Sequence, residues 1–147
     1  MSKSILELFE TSTRQFCDLG RSIPASEVNV VKVEGEWPAS YVIFHLADAD
    51  AYFLTRYFNV LTVDKPAIVP FDESKFPTAL RYTGRTVAAS LAAIEASCTL
   101  LVEVLSQLSD SDWQRTGIHA ERGELTLAQL LQVATNHRIE HFDQLKK

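Results

Sequence analysis

Two histidines, His137 and His141 in the stretch HRIEHFDQL, stand four residues apart. On a helix they share one face, ~6 Å apart along the axis. Both fall on the apolar stripe of their segment, Leu127, Leu130, Ala134, His137, His141 and Leu145, where core residues are expected. A buried imidazole with an unpartnered ring nitrogen costs on the order of 1–3 kcal/mol. A metal ion satisfies one nitrogen of each ring at once, and the pair alone leaves metal binding and a structural role equally open. His45, inside another apolar helical segment, shifts the balance. Two imidazoles from one helix and one from a facing helix suit a divalent ion with open coordination positions. Such an ion lowers the pKa of a water or thiol and presents it as a nucleophile.

The segment around His45 is unusually polar on one side. On a helical wheel Tyr41, Asp48, Ala49, Tyr52 and Arg56 lie within about 60° of His45. A polar strip in a largely apolar helix is costly unless it faces a site. Asp48, one turn on, is placed to orient an imidazole or to act as a further ligand. Tyr52 and Arg56 are candidates for holding a bound anion or a substrate carbonyl. The plainer alternative is a solvated pair between Asp48 and Arg56. The run from His137 through Glu140 to His141 also fits the H-x-x-E-H pattern of inverted zinc peptidases. The expectation is against that reading, because it needs a third ligand well downstream, and Glu140 lies ~100° from His141 around the helix. His119, between Gly117 and Gly123, reads as a solvated loop histidine, with a mobile role beside the metal as the alternative.

Helices must position these groups, and the breakers delimit four. The first carries Ile5, Phe9, Phe16 and Leu19, with Ser12 in the middle step, and is expected to end at Gly20 as a C-terminal cap. The second runs from about Pro38 to about Leu61. The third shows Leu80, Gly84, Val87, Leu91, Ile94, Cys98, Leu101, Leu105 and Leu108 in four-and-three steps, the seam of a bundle helix. The fourth opens on Thr126 with Gln129 three residues later, a capping-box pattern. Asn29 to Val33 is the sole strand candidate and has no partner. Together these predict an all-α, four-helix bundle forming a single domain over residues 1–147, with longer connections near 20–37 and 62–77.

With 147 residues, 46% apolar and 22% charged, the chain has the balance of an ordinary globular protein. A net charge of -5 with no run of Lys or Arg argues against nucleic acid and anionic lipid as partners. Val87 to Leu105 is apolar but contains Glu95 and Glu103, which makes it a poor membrane span. Cys17 and Cys98 sit in helical apolar patterns and read as buried thiols of a reducing compartment. The opening MSKSILELFE lacks a signal-peptide plan, so a cytoplasmic location is expected.

A wider pattern joins these pieces. Trp37-Pro38 opens a helix and leads to Phe44-His45-Leu46-Ala47-Asp48, and Phe71-Asp72-Glu73 follows a proline-rich turn. Asp112-Trp113 precedes a glycine-containing loop, and Leu125-Thr126-Leu127 leads into His137, His141 and Gln144. In order and spacing this resembles the DinB-like (damage-inducible) superfamily of four-helix bundle metalloproteins, over nearly the whole chain. The resemblance implies an up-down-down-up bundle, often dimeric. It also implies a divalent metal, usually zinc or nickel, on His45, His137 and His141. Some members of that family use the metal to activate a low-molecular-weight thiol, as bacillithiol and mycothiol transferases do. The residue after the first histidine of the pair is often acidic in the family, whereas here it is Arg138.

Three readings follow. The first is a metalloenzyme in which the three histidines hold zinc, nickel or iron, for thiol transfer or hydrolysis on a small electrophile. Asp48, Tyr52 and Arg56 are its candidate positioning groups. The second is a non-catalytic, stress-linked metal-binding or dimerisation module, which requires Asp48 to close the coordination shell. The third is an apolar-ligand carrier with incidental histidines.

Overall fold

A computed structural model describes residues 2–147. The long helices begin where side chains can satisfy the free N–H groups of a first turn. Thr126 accepts from the backbone N–H of Gln129, whose side chain accepts in return from that of Thr126. This capping box starts helix α6, Leu127–Leu145. Thr86 caps α4, Val87–Leu105, by accepting from Ala89 N–H, and Pro38 stands immediately before α2, Ala39–Thr62. Helix α1 spans Ser2–Ser22. Between α2 and α4 lie two 3-10 turns and a single-turn helix α3, Phe76–Ala79. Between α4 and α6 lie a second single-turn helix α5, Asp110–Trp113, and an antiparallel hairpin of β1, Thr116–His119, and β2, Gly123–Thr126.

The four long helices close a ring in which α1 and α2 each pack against both α4 and α6. Their directions follow from who meets whom. Thr13 of α1 meets Arg138 of α6, and Phe16 and Cys17 cluster with Leu145, so α1 and α6 run parallel. On α2, Asp50 meets Arg138 and His45 meets His141, so α2 runs against α6. Gly20 lies against Leu91 while Thr13, two turns earlier on α1, meets Cys98 further along α4, so α1 runs against α4. The order is therefore up-down-down-up. Its core splits into one cluster around Phe9, Phe53, Tyr57, Leu101 and Leu131, another around Phe16, Ile43, Leu46, Leu91 and Ile94, and a smaller third of Phe44, Phe76 and Tyr82.

Several local expectations need correction. Gly20 does not end α1, which continues to Ser22. A Cβ there would sit 3.0 Å from Leu91 Cδ2, so this glycine serves the close approach of α1 to α4. The periodic pattern beginning at Leu80 is not one helix. Leu80 is exposed, and α4 begins only at Val87, because Thr86 supplies the cap. Asn29–Val33 forms no strand; turn bonds close at both its ends, Val30 N–H donating to Glu27 O and Glu36 N–H to Val33 O. The hairpin β1–β2 was unexpected, since each strand has four residues and glycines interrupt the alternation. It is pinned from outside: Ile118 N–H donates to Pro66 O and Ile68 N–H to Ile118 O, tying the 62–77 connection to β1. Helix α4 is long and apolar enough by composition to cross a membrane, but Leu91, Ile94, Cys98, Leu101 and Leu105 are buried within the bundle. Cys17 and Cys98 are free and buried, as their pattern implied.

Candidate metal centre

The antiparallel packing of α2 against α6 brings the three imidazoles together. His45, 1% exposed, faces His137 and His141, which project side by side from α6. The Nε2 atoms of His45 and His141 each lie 3.0 Å from His137 Nε2. One coordinating nitrogen from each ring lies within 4.8 Å of the others. A ring nitrogen carries either one hydrogen or one in-plane lone pair. His137 Nε2 therefore cannot make both contacts as full hydrogen bonds. A divalent cation takes all three lone pairs, and in that sense the donor set fits a metal.

Tautomers support this. Gln144 Oε1, an acceptor only, lies 2.8 Å from His141 Nδ1, so Nδ1 holds the hydrogen and Nε2 offers its lone pair to the cluster. Burial, aided by the neighbouring rings, pushes His45 down to about 4 and His137 to about 3. Both are therefore neutral, the form a metal requires. Trp37, 5.4 Å from the His45 ring centroid, and Phe53, 5.8 Å from that of His137, wall the cluster.

Two expected outcomes arise here. Gln144→Leu leaves His141 free to rotate and to change tautomer, and metal affinity measured by chelator competition should fall ~10–100-fold; unchanged affinity would remove Gln144 from the site. Acid should also destabilise the metal-free fold. Unfolded histidines bind protons near pH 6.5, whereas folded His45 and His137 stay neutral down to about 4 and 3. Across that window the unfolded chain holds more protons, so stability is full above pH 6.5 and falls as the pH drops. The limiting slope is ~1.4 kcal/mol per pH unit for each histidine. Urea melts at pH 7, 6 and 5 should show the decline, and His45→Leu should flatten it.

The other candidates are placed differently. Asp48 does not face the imidazoles. Arg85 Nη1 donates to both its oxygens, at 2.8 and 2.7 Å, and Tyr82 Oη donates at 2.9 Å. An expected ligand or orienting carboxylate is thus an ion-pair partner tying α2 to the start of α4. Tyr52 stands at the rim, its ring stacked on Phe76 at 5.8 Å and close to Phe71 at 4.7 Å. Arg56 is buried, and its Nε and Nη2 both donate to Val69 O, at 3.2 and 2.8 Å. It makes no pair with Asp48. His119 Nδ1 accepts from the backbone N–H groups of Glu121 and Arg122, so it closes its own hairpin loop and stands outside the cluster.

The core position of α6 is held by Arg138, 1% exposed, while His137 and His141 flank it and are only half-buried. The 71–76 segment borders the cluster, with the Phe76 ring centroid 6.2 Å from that of His45. That segment supplies a carboxylate that residue spacing does not reveal: Glu73 Oε2 lies 3.5 Å from His45 Nε2, and the side chain is 56% exposed. Only the Phe71-Asp72-Glu73 motif hinted at it.

A family model described as the DinB superfamily matches residues 8–145. A protein of Oceanobacillus iheyensis named a "putative metal-dependent hydrolase" is 30% identical over 107 residues, covering 73% of this chain and 62% of that one. A protein of the same name from Geobacillus thermodenitrificans is 32% identical over 89 residues, covering 60% and 50%. The matched stretch thus spans between half and two thirds of these relatives. Among solved structures, YfiT from Bacillus subtilis is described as a probable metal-dependent hydrolase with an unusual four-helix bundle topology. It superposes with a TM-score of 0.85 at 22% identity, covering 99% of this chain and 85% of that one. The mycothiol-dependent maleylpyruvate isomerase superposes at 0.80 with 16% identity, covering 99% and 60%. At such identities the likeness is one of fold. Since the family model runs from the first helix to the last, this chain belongs to the DinB superfamily.

Proposed function

We propose that this chain is a metal-dependent enzyme acting on a small electrophile, by hydrolysis or by transfer of a low-molecular-weight thiol. The observation that carries the reading is the convergence of three imidazole nitrogens, two of them on half-buried rings. His45, His137 and His141 would hold one divalent ion, with zinc or nickel favoured by the family resemblance and iron equally suited to imidazole. The ion's chemistry would be Lewis acidity, which makes a bound water or thiol nucleophilic at neutral pH and polarises a carbonyl. Three neutral ligands leave the positive charge uncompensated, and no fourth protein ligand is needed for catalysis.

Glu73 is the group best placed to handle the proton. From the solvent side of His45 its Oε2 accepts a proton from the attacking water or thiol and returns it to the leaving group. Tyr52, on the rim with Phe71 and Phe76, orients the substrate. We place the protein in the cytoplasm and expect a homodimer.

A second reading rests on the same 3.5 Å approach: Glu73 would close the shell around a structural ion. One variant separates the two. As a general base, Glu73→Gln should lower turnover ~100- to 10,000-fold and leave metal content at one per chain. As a closing ligand, Glu73→Gln should weaken metal binding itself. Metal analysis of untagged protein followed by a panel of thiols, electrophiles and esters supplies the activity to be measured. Protein purified without chelators and holding no metal would overturn both readings.

A further inference from the structure

Beside the three histidines lies a second chemical feature, a buried cation with no anion. The other deeply buried arginine, Arg138, has Asp50 as its counter-ion. Arg56 is 9% exposed, yet among the described residues it makes no ion pair; its hydrogen bonds go to one neutral carbonyl, Val69 O. Burying an uncompensated charge is costly, so the arrangement calls for a compensating ligand. Nη1 makes no hydrogen bond, and it is not among the buried polar atoms that lack partners, so it retains access to solvent.

That access opens into a cavity of about 390 Å³, lined by Arg56, Phe53, Phe71, Glu73, His119 and Arg122 among others. The volume suits a small organic molecule. Phe53 and Phe71 flank the guanidinium, with ring centroids 5.3 and 4.9 Å from Cζ, which fixes its orientation and provides apolar walls. Arg122 adds a second guanidinium that makes no ion pair among the described residues. Two carboxylates also line the cavity, and neither pairs with Arg56: Glu73 stands at the histidine end and Glu121 in the hairpin loop. The cavity reaches the cluster through Glu73 and through Phe53, whose ring lies against His137. Arg56 leans the same way, because helical side chains tilt toward the N-terminus, here the His45 end of α2. A single phenyl ring separates the guanidinium from a histidine of the cluster.

We propose that this cavity binds a small carboxylate, an aryl or short-chain acid, with the carboxylate on Arg56 and the opposite end directed at the histidine cluster. Treating that opposite end as the reacting end rests on the metalloenzyme reading above; binding of the acid does not. One charge-assisted bond to Nη1 and the flanking rings select an acid over its neutral isostere.

The test compares phenylacetate with phenylacetamide, of equal shape but without charge, by calorimetric titration at constant ionic strength. The protein is used with its metal and, in parallel, after chelator treatment. Phenylacetate is expected to bind at least ~10-fold more tightly than the amide in both forms. Arg56→Gln should reduce the preference to about 1 with metal content unchanged, and Arg56→Lys should keep part of it. Absence of a preference in the wild type, which needs no variant, overturns the proposal. So does a preference that survives Arg56→Gln, or one that appears only with metal present, since the acid would then sit elsewhere or on the ion. An intact preference in a protein that binds no metal would sink the enzyme reading and leave this one standing.

Discussion

His137→Ala should abolish stoichiometric metal binding and, with it, any stabilisation of the fold by metal. His137 is the central member of the cluster, its Nε2 3.0 Å from the Nε2 atoms of both partners. Loss of a direct ligand should exceed the ~100-fold upper end for groups that only orient ligands. The wild type at a thousandfold excess of metal over its Kd gains ~4 kcal/mol of stability, and the variant should gain none. In the absence of metal the order should reverse. The wild type holds three mutually crowded ring nitrogens, and the Nδ1 atoms of His45 and His137 have no partner. Removing one ring relieves that cost, so metal-free His137→Ala should melt no lower than the metal-free wild type. Thermal melts of both proteins with and without metal check the crossing. A variant that still takes up one equivalent at wild-type affinity would end the three-histidine account.

Why was this much legible in the chain? The i, i+4 histidines declare themselves through helix geometry alone, and the Thr126–Gln129 box fixes the phase of the helix that carries them. His45 could be matched to them because two amphipathic helices in a small bundle have few ways to meet. Which polar neighbour of His45 shares the site was beyond a helical wheel. A wheel gives azimuth and ignores what arrives from outside the helix. Asp48 has a suitable azimuth, but Arg85 and Tyr82, from the connection before α4, neutralise it. Glu73 lies in a proline-rich connection without periodicity, and its place depends on the backbone bonds of Pro66 and Ile68 to Ile118. Those bonds depend in turn on a hairpin whose strands are too short to show alternation.

Arg138 was legible only as an oddity of type, and its placement carries the second large expected effect. Arg138→Met should lower stability by ~3–5 kcal/mol, the usual cost of leaving one partner of a buried ion pair behind. Nη2 of Arg138 donates to Asp50 Oδ2 at 2.5 Å and Nε donates to Thr13 Oγ1 at 2.7 Å, while the guanidinium lies over Phe9, 4.2 Å from its centroid. One side chain thus joins α6 to both α2 and α1 at the level of the metal cluster. Asp50, 5% exposed, has no other ion-pair partner among the described residues, and burial already pushes its carboxyl up to about 6 against the pull of Arg138. Without the arginine, Asp50 would be protonated or would draw water into the core, and either loosens the packing of α2 on α6. Replacing both charges separates pairing from packing: Asp50→Leu with Arg138→Met should cost less than Arg138→Met alone, because no orphaned charge is left. Metal affinity should fall less in these variants than in His137→Ala, since the ligands stay and only their support weakens. Urea melts of the single and double variants decide the matter. A loss below ~1 kcal/mol for Arg138→Met, within the range of a surface ion pair, would show that α2 and α6 are held in register by the surrounding apolar contacts alone.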